Sequence, residues 1–245
     1  MSRKRTATQK SLGKGQIVKI LHVSCSPRGQ ASESYRLSQN IIGLLLKSDP
    51  AAMLIDRVIG GGSIPQVDDD FAVSQQSLAD VSQQGSASLS EELIRELQIS
   101  DVVVISTPMH NFTVPSTLKA WIDHVARVRW TFDVGPGGKI GLLRDRPVFV
   151  AVSSGGRFSG ERTRQPDFLT PYLKAILGMI GLHDLTFFSV EGTAFGQDAV
   201  AEARARTDQA LQEHFSSFAL DRMHDVQDGH GLRLAHGVNP AERVA

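Results

Sequence analysis

Three short segments of this 245-residue chain carry side chains whose types and spacing suit chemistry. The first is Cys25-Ser26-Pro27-Arg28-Gly29-Gln30-Ala31-Ser32-Glu33-Ser34, which with Ser24 offers four serine hydroxyls among turn formers. Serine hydroxyls, unpaired backbone N–H groups and the positive end of a helix dipole together bind a phosphate without lysine. Serines also simply cap helices, and from this segment alone both readings stand. The glycine fingerprint of dinucleotide sites is missing, since only Gly29 falls here, and the Walker pattern is missing too. The second segment, Pro108-Met109-His110-Asn111-Phe112, mixes a thioether, an imidazole, an amide and a phenyl ring. That set suits a flat heteroaromatic ring, which needs apolar contact on a face and directional hydrogen bonds on an edge. The third, Ser153-Ser154-Gly155-Gly156, allows close backbone approach through its paired glycines.

Plainer readings exist for each residue. Met109 and Phe112 could be core, a lone His110 could sit on the surface, and Cys25 reads as a small buried residue rather than a reactive thiol. Asp68-Asp69-Asp70 reads as a solvated turn, because consecutive loop positions rarely converge on one ion. No metal site is expected.

The elements that must position these segments follow from periodicity. Ile17 to Ser24 reads as a first strand, and Leu37, Ile41, Leu44 and Leu45 as the stripe of a first helix ending near Lys47. Met53 to Val58 is a second strand, followed by an irregular connection. Ser88 with Glu91 has capping-box spacing, with Ser90 the other candidate cap, ahead of a face made by Leu89, Leu93 and Leu97. Val102 to Ile105 is a strand apolar on both faces, as in a parallel sheet. Pro115 suits a first helical turn, and Leu118, Trp121, Ile122 and Val125 give that helix its buried face. Arg127 to Asp145 reads as a long polar, glycine-rich excursion. Pro147 to Ser153 is strand four; Leu169, Leu173, Ile176, Leu177 and Ile180 form a helix closed by Gly181. Leu185 to Val190 is strand five, and a last helix carries Leu211 and Phe215. Alternating strands and helices of this kind predict an α/β fold, a doubly wound five-stranded parallel sheet in the order 2-1-3-4-5. Right-handed crossovers then bring all three chemical segments to one sheet edge.

Composition narrows the class. Apolar content of 41% and charged content of 21% suit a globular domain, expected over residues 17–220. Residues 1–16 carry five basic and no acidic side chains and read as a disordered extension; residues 221–245 read as a weakly ordered tail. A formal net charge of zero gives no field for nucleic acid or an anionic membrane, and no apolar run is long enough for a span. One cysteine fits a reducing, cytoplasmic compartment.

From Val18 to Phe215 the chain resembles the FMN-dependent NADH:quinone oxidoreductase/azoreductase family, flavodoxin-like homodimers. The family's phosphate loop is matched by Ser26 and Ser32-Glu33-Ser34, its ring loop P-M-Y-N-F by Pro108 to Phe112, and its S-R-G-G by Ser153 to Gly156. Leu169-Thr170-Pro171-Tyr172-Leu173 is a further match. His110 stands where the family usually has tyrosine, and Ser154 where it has arginine. The resemblance implies FMN, with NADH or NADPH delivering hydride to it and a quinone or azo compound then accepting two electrons. His110 becomes a candidate for proton delivery, since an imidazole titrates near neutrality. Backbone N–H groups near Gly155 and Gly156 would stabilise the reduced, anionic ring. Trp130 and Phe132 become candidates for lining the acceptor pocket. A flavodoxin-type electron carrier, an FAD-using quinone reductase of related fold and a cofactor-free domain on the same fold stay open as alternatives.

Overall fold

Val102 to Pro108 forms the central strand because its residues have apolar partners on both sides of the sheet. In the computed structural model, which describes residues 17–62, 64–76 and 85–227, this is β3 (Val102–Pro108). It lies between β1 (Lys19–Ser24) and β6 (Val148–Ser154), with β2 (Met53–Val58) and β7 (Leu185–Glu191) at the edges. All four pairings are parallel. The order β2-β1-β3-β6-β7 is the predicted 2-1-3-4-5 once a separate hairpin, β4 (Phe132–Gly135) and β5 (Gly138–Gly141), is passed over.

Residue alternation along β3 divides the core in two. Val103 and Ile105 face a cluster with Leu93, Leu97, Leu118 and Trp121. Val102 and Val104 face another with Leu37, Ile41 and Phe215. The first layer is supplied by α3 (Gly85–Ile99), α4 (Ser116–Val125) and α5 (Leu169–Met179). The second is supplied by α1 (Glu33–Ser48) and α6 (Gln197–Gln227). Fully burying one large apolar side chain stabilises the fold by roughly 1.5–3 kcal/mol, so these two stripes hold the sheet edge in place. Gly181, at φ +106°, follows α5 as the predicted left-handed stop.

Several local expectations fail for identifiable reasons. The connection after β2 contains a short helix, α2 (Asp69–Gln76), started by the Asp68 carboxylate, which accepts from the Phe71 N–H at 3.0 Å. The Asp68 carboxylate and N–H also bond the Ser86 N–H and hydroxyl, so this acid, solvent-exposed as expected, ties α2 to the start of α3 as well. Because α3 begins at Gly85, Ser88 and Ser90 are interior and cap nothing; the Ser90 hydroxyl instead donates to the His124 carbonyl at 2.6 Å. The excursion from Arg127 holds the β4–β5 hairpin. The last helix runs to Gln227, past the residue-220 boundary, while residues 1–16 and 228–245 lie outside the described residues.

Candidate functional site

The loop after β1 is built around buried hydroxyls. Ser26, Ser32 and Ser34 are all buried. Ser26 Oγ accepts from the Arg28 N–H at 3.2 Å, and a single 3-10 turn (Gly29–Ala31) leads into α1. Ser32 caps α1 by accepting from the Tyr35 N–H at 3.2 Å, and its hydroxyl touches that of Ser34 at 3.3 Å. With the Tyr35 N–H satisfied by this cap and the Arg36 N–H by the Ser32 carbonyl, the first-turn N–H groups of Glu33 and Ser34 are those the helix itself leaves over. They are anion donors by position. The Glu33 carboxylate, in contrast, turns to α6, where Arg204 with help from Arg36 holds it below the usual carboxylate range. The loop is backed by Gly60: a Cβ there would lie 2.0 Å from the Ser26 carbonyl oxygen. Cys25 is fully enclosed and burial pushes its thiol pKa up, so it is inert as read from the sequence.

Hydrogen bonds join this loop to the next two. The Cys25 N–H donates to the Ser106 carbonyl at 2.9 Å, and Thr117 on α4 donates to the Cys25 carbonyl at 3.2 Å. The Met109 N–H donates to the Ser153 carbonyl at 2.7 Å. After β6, the carbonyls of Ser154, Gly155 and Gly156 accept from Thr193, Ala194 and Gly192, so the loop after β7 braces the glycine turn from outside. The predicted convergence of segments therefore holds, as the parallel topology requires.

The ring-suited segment has a conformation that composition did not announce. His110 and Thr113 exchange both backbone hydrogen bonds, at 2.9 and 3.0 Å, around Asn111 and Phe112 at φ +49° and +69°. This is a two-residue turn with both central residues left-handed, common for asparagine and strained for phenylalanine. It pushes His110, Asn111 and Phe112 outward, all three exposed, while Met109 stays buried beneath. The His110 imidazole has no hydrogen-bond partner among the described residues. The Phe112 carbonyl accepts from the Phe168 N–H at 3.0 Å, which ties the turn to the entry of α5.

One contributor was missed. Gln165, between β6 and α5, donates through Nε2 to Ser154 Oγ at 2.9 Å and lies 3.1 Å from Met109 Sδ. Its Oε1 occupies the space above Gly156, where a Cβ would come within 2.1 Å. Nothing in its sequence neighbourhood signals this, since the contact is made only when the strands align. Phe132 opens the hairpin and Trp130 lies in the turn just before it, both half-buried against the core. The Arg127 guanidinium lies 4.7 Å from the Trp130 ring and the Lys139 ammonium 5.0 Å from the Phe132 ring.

A hydroxyl-lined helix start beside a ring-suited turn, at the switch point of a parallel sheet, defines the class as flavodoxin-like. A family model for the flavodoxin-like fold matches residues 18–215. FMN-dependent NADH:quinone oxidoreductase 4 of Pseudomonas fluorescens is 46% identical over 191 residues, 78% of this chain and 91% of that protein. FMN-dependent NADH:quinone oxidoreductase 5 of Burkholderia lata is 43% identical over 194 residues, 78% of this chain and 93% of that protein. An FMN-dependent NADH-azoreductase from Bacillus anthracis, solved in complex with FMN, shares the fold at 22% identity. Its TM-score is 0.69, covering 82% of this chain and 99% of that one. The chain belongs to the FMN-dependent NADH:quinone oxidoreductase family. No helix among the described residues is long and apolar enough to cross a membrane.

Proposed function

We propose that the chain is an FMN-dependent oxidoreductase that moves two electrons from NADH or NADPH to a quinone, and to azo compounds by the same route. The observation that carries this reading is the meeting at one sheet edge of the serine loop, bonded through Cys25 to β3 and α4, with the Met109–Phe112 turn and the Ser153–Gly156 segment, bonded to each other. The residues fit FMN: buried hydroxyls and spare N–H groups for a phosphate at one end, an apolar turn and a side-chain-free glycine pair for a ring at the other. FMN held by these residues would supply the two-electron chemistry, in one half-reaction with a reduced nicotinamide and a separate one with the acceptor.

The protein's own part is position and electrostatics. Ser26, Ser32 and Ser34 hold the phosphate together with the N–H groups of Glu33 and Ser34; Glu33 serves through its main chain, because its carboxylate is held by Arg204. Pro108, Met109, Asn111 and Phe112 frame the ring and keep water from one face. Ser153, Ser154, Gly155 and Gly156 meet its polar edge, where N–H groups favour the anionic reduced form. His110, exposed and unengaged, delivers a proton to the acceptor. Trp130 and Phe132 line the acceptor's approach. Val134 on one face of the hairpin, Ile140 on the other and Leu142 just after it are exposed apolar side chains that a second copy would cover. Sedimentation showing only monomer would remove the homodimer from this reading.

The test is direct. Purified protein should be yellow or become so with FMN, the extracted flavin should be FMN and not FAD, and NADH should be consumed with a quinone and no added reductase. Protein that stays colourless after FMN addition sinks the enzyme reading. A coloured protein that needs a reductase partner would be an electron carrier. For His110→Phe, the acceptor half-reaction should slow with an altered pH profile; an unchanged rate at every pH ends the proton-delivery role.

A further inference from the structure

Beyond the Gly155–Gly156 turn the surface opens into a cleft that the ring and phosphate sites do not use. A cavity of about 660 Å³, within the roughly 300–1,000 Å³ range of small-molecule sites, is lined by Arg157, Arg162, Arg164, Phe195, Asp198 and Glu202 among others. It continues into a second cavity of about 610 Å³ along β7 and α6 that shares Arg157, Arg162 and Glu202. The cleft abuts the ring site through the backbone: Gly156 precedes Arg157, and the Gly192 N–H that bonds the Gly156 carbonyl starts the loop that carries Phe195.

Its charges are unevenly spent. Elsewhere on this side of the sheet arginines are paired, Arg204 with Glu33 and Arg36 with Glu33 and Asp208. In the cleft, Glu202 is taken by Arg206, with Arg162 at 3.9 Å. Glu191, at the inner end, is held by the N–H groups of Phe158 and Ser159 and by two serine hydroxyls. Arg157 and Arg164 have no carboxylate partner among the described residues. They are joined by the Arg164 N–H donating to the Arg157 carbonyl at 2.9 Å, which keeps the two backbones adjacent. Phe195 is 58% exposed, and the Arg157 guanidinium lies over its ring, 5.4 Å from the centre. Two guanidinium groups without a carboxylate partner, one of them resting on an exposed aromatic ring, match a molecule that is polyanionic at one point and aromatic at another.

We propose that this cleft binds the adenosine diphosphate half of the reduced nicotinamide donor, an assignment that rests on the donor reading above. With the nicotinamide against the ring turn, the rest of the dinucleotide leaves over the rim of the site. On the Gly155–Gly156 side it meets these arginines first. Arg157 and Arg164 take the diphosphate, Phe195 stacks with the adenine, and Asp198 accepts from a ribose hydroxyl. The nearby acids make the cleft only mildly cationic, which favours a single bound diphosphate over nonspecific capture of polyanions.

The experiment compares NADH with reduced nicotinamide riboside, which keeps the hydride donor and lacks the diphosphate and adenine. In Arg157→Ala/Arg164→Ala protein the KM for NADH should rise about tenfold or more, the loss expected from removing charged hydrogen bonds. The KM for the riboside, the kcat with either donor and the affinity for FMN should stay within twofold. Arg164→Ala alone, an exposed change, should give a smaller rise of the same kind if the double variant folds poorly. Calorimetry with ADP reads the cleft without turnover: holoprotein should bind ADP, and the double variant should not. An NADH KM within twofold of the parent, an equal rise for the riboside, or no ADP binding by the parent holoprotein overturns the proposal. Holoprotein that binds ADP yet oxidises neither donor overturns the donor reading and this use of the cleft with it.

Discussion

The two ends of the site are built on opposite terms. At the serine loop every hydroxyl is buried and locally bonded, the turn is short, and Gly60 presses against it from behind. At the Met109–Phe112 turn three consecutive side chains are exposed, and two non-glycine residues sit at positive φ. A left-handed residue other than glycine costs about 1–2 kcal/mol, which neighbours must offset. Here those neighbours are the pair of backbone hydrogen bonds between His110 and Thr113, the Phe168 N–H and the Gln165 amide. The end that would meet an unvarying phosphate is thus part of the folded core. The end that would meet varied acceptors is a strained turn propped from outside.

That difference predicts unequal responses to substitution. Gly60→Ala should do the most damage, because the added methyl would overlap the Ser26 carbonyl and backbone cannot rotate away as a side chain can. A shift costing about 3 kcal/mol would lower FMN affinity by roughly 100-fold and reduce the melting temperature as well. Equilibrium FMN titration and thermal melts of the apoprotein measure both; unchanged affinity would mean that the serine loop is not the phosphate end. Gln165→Ala should be milder and confined to the other end. Losing its bond to Ser154 and its contact with Met109 should cost about 1–2 kcal/mol, or roughly tenfold in FMN affinity, with little change in melting temperature. A melting loss as large as that of Gly60→Ala would show that the prop is structural to the whole edge.

How much of this was legible depended on range. Strands β1, β2, β6 and β7 were readable to within a residue or two, and β3 from its first residue though three residues short at its end, because alternating or continuous apolar runs are local signals. The same holds for Gly181 as the stop of α5. The hairpin was missed although Gly135-Pro136-Gly137-Gly138 marks a turn, because its flanking strands of four residues carry too few apolar positions to stand out. At the site, serine positions and glycine pairs announced themselves by type. The left-handed Phe112 did not, since nothing in a phenylalanine favours positive φ; bonds made by Thr113 and Phe168 help hold it there. The Gln165 prop, the Gly60–Ser26 contact and the diversion of Glu33 to Arg204 all join residues distant in sequence, and no local pattern encodes them.

The least severe test of the comparison uses acid rather than a deletion at the site. His22 on β1 is fully buried, with Nδ1 2.9 Å from Asp56 and Nε2 2.9 Å from Ser38 on α1, so it fastens the helix whose first turn forms the phosphate end. Burial lowers its pKa from the usual value of 6.5, and the Asp56 carboxylate only partly opposes this. In the folded chain the imidazole is therefore neutral at a pH where the unfolded chain already takes up a proton. Its stabilising effect is complete above pH 6.5 and declines as the pH falls through the window between the unfolded and folded values, by at most about 1.4 kcal/mol per pH unit. Below the folded value the decline stops, because both states are then protonated. Denaturant melts of the parent and of His22→Gln should show a steeper acid loss in the parent over that window. FMN affinity should weaken with it, since the seat of α1 loosens first. Equal slopes in the two proteins would mean that His22 stays uncoupled from folding, and would leave the rigidity of the serine loop to Gly60 and the sheet alone.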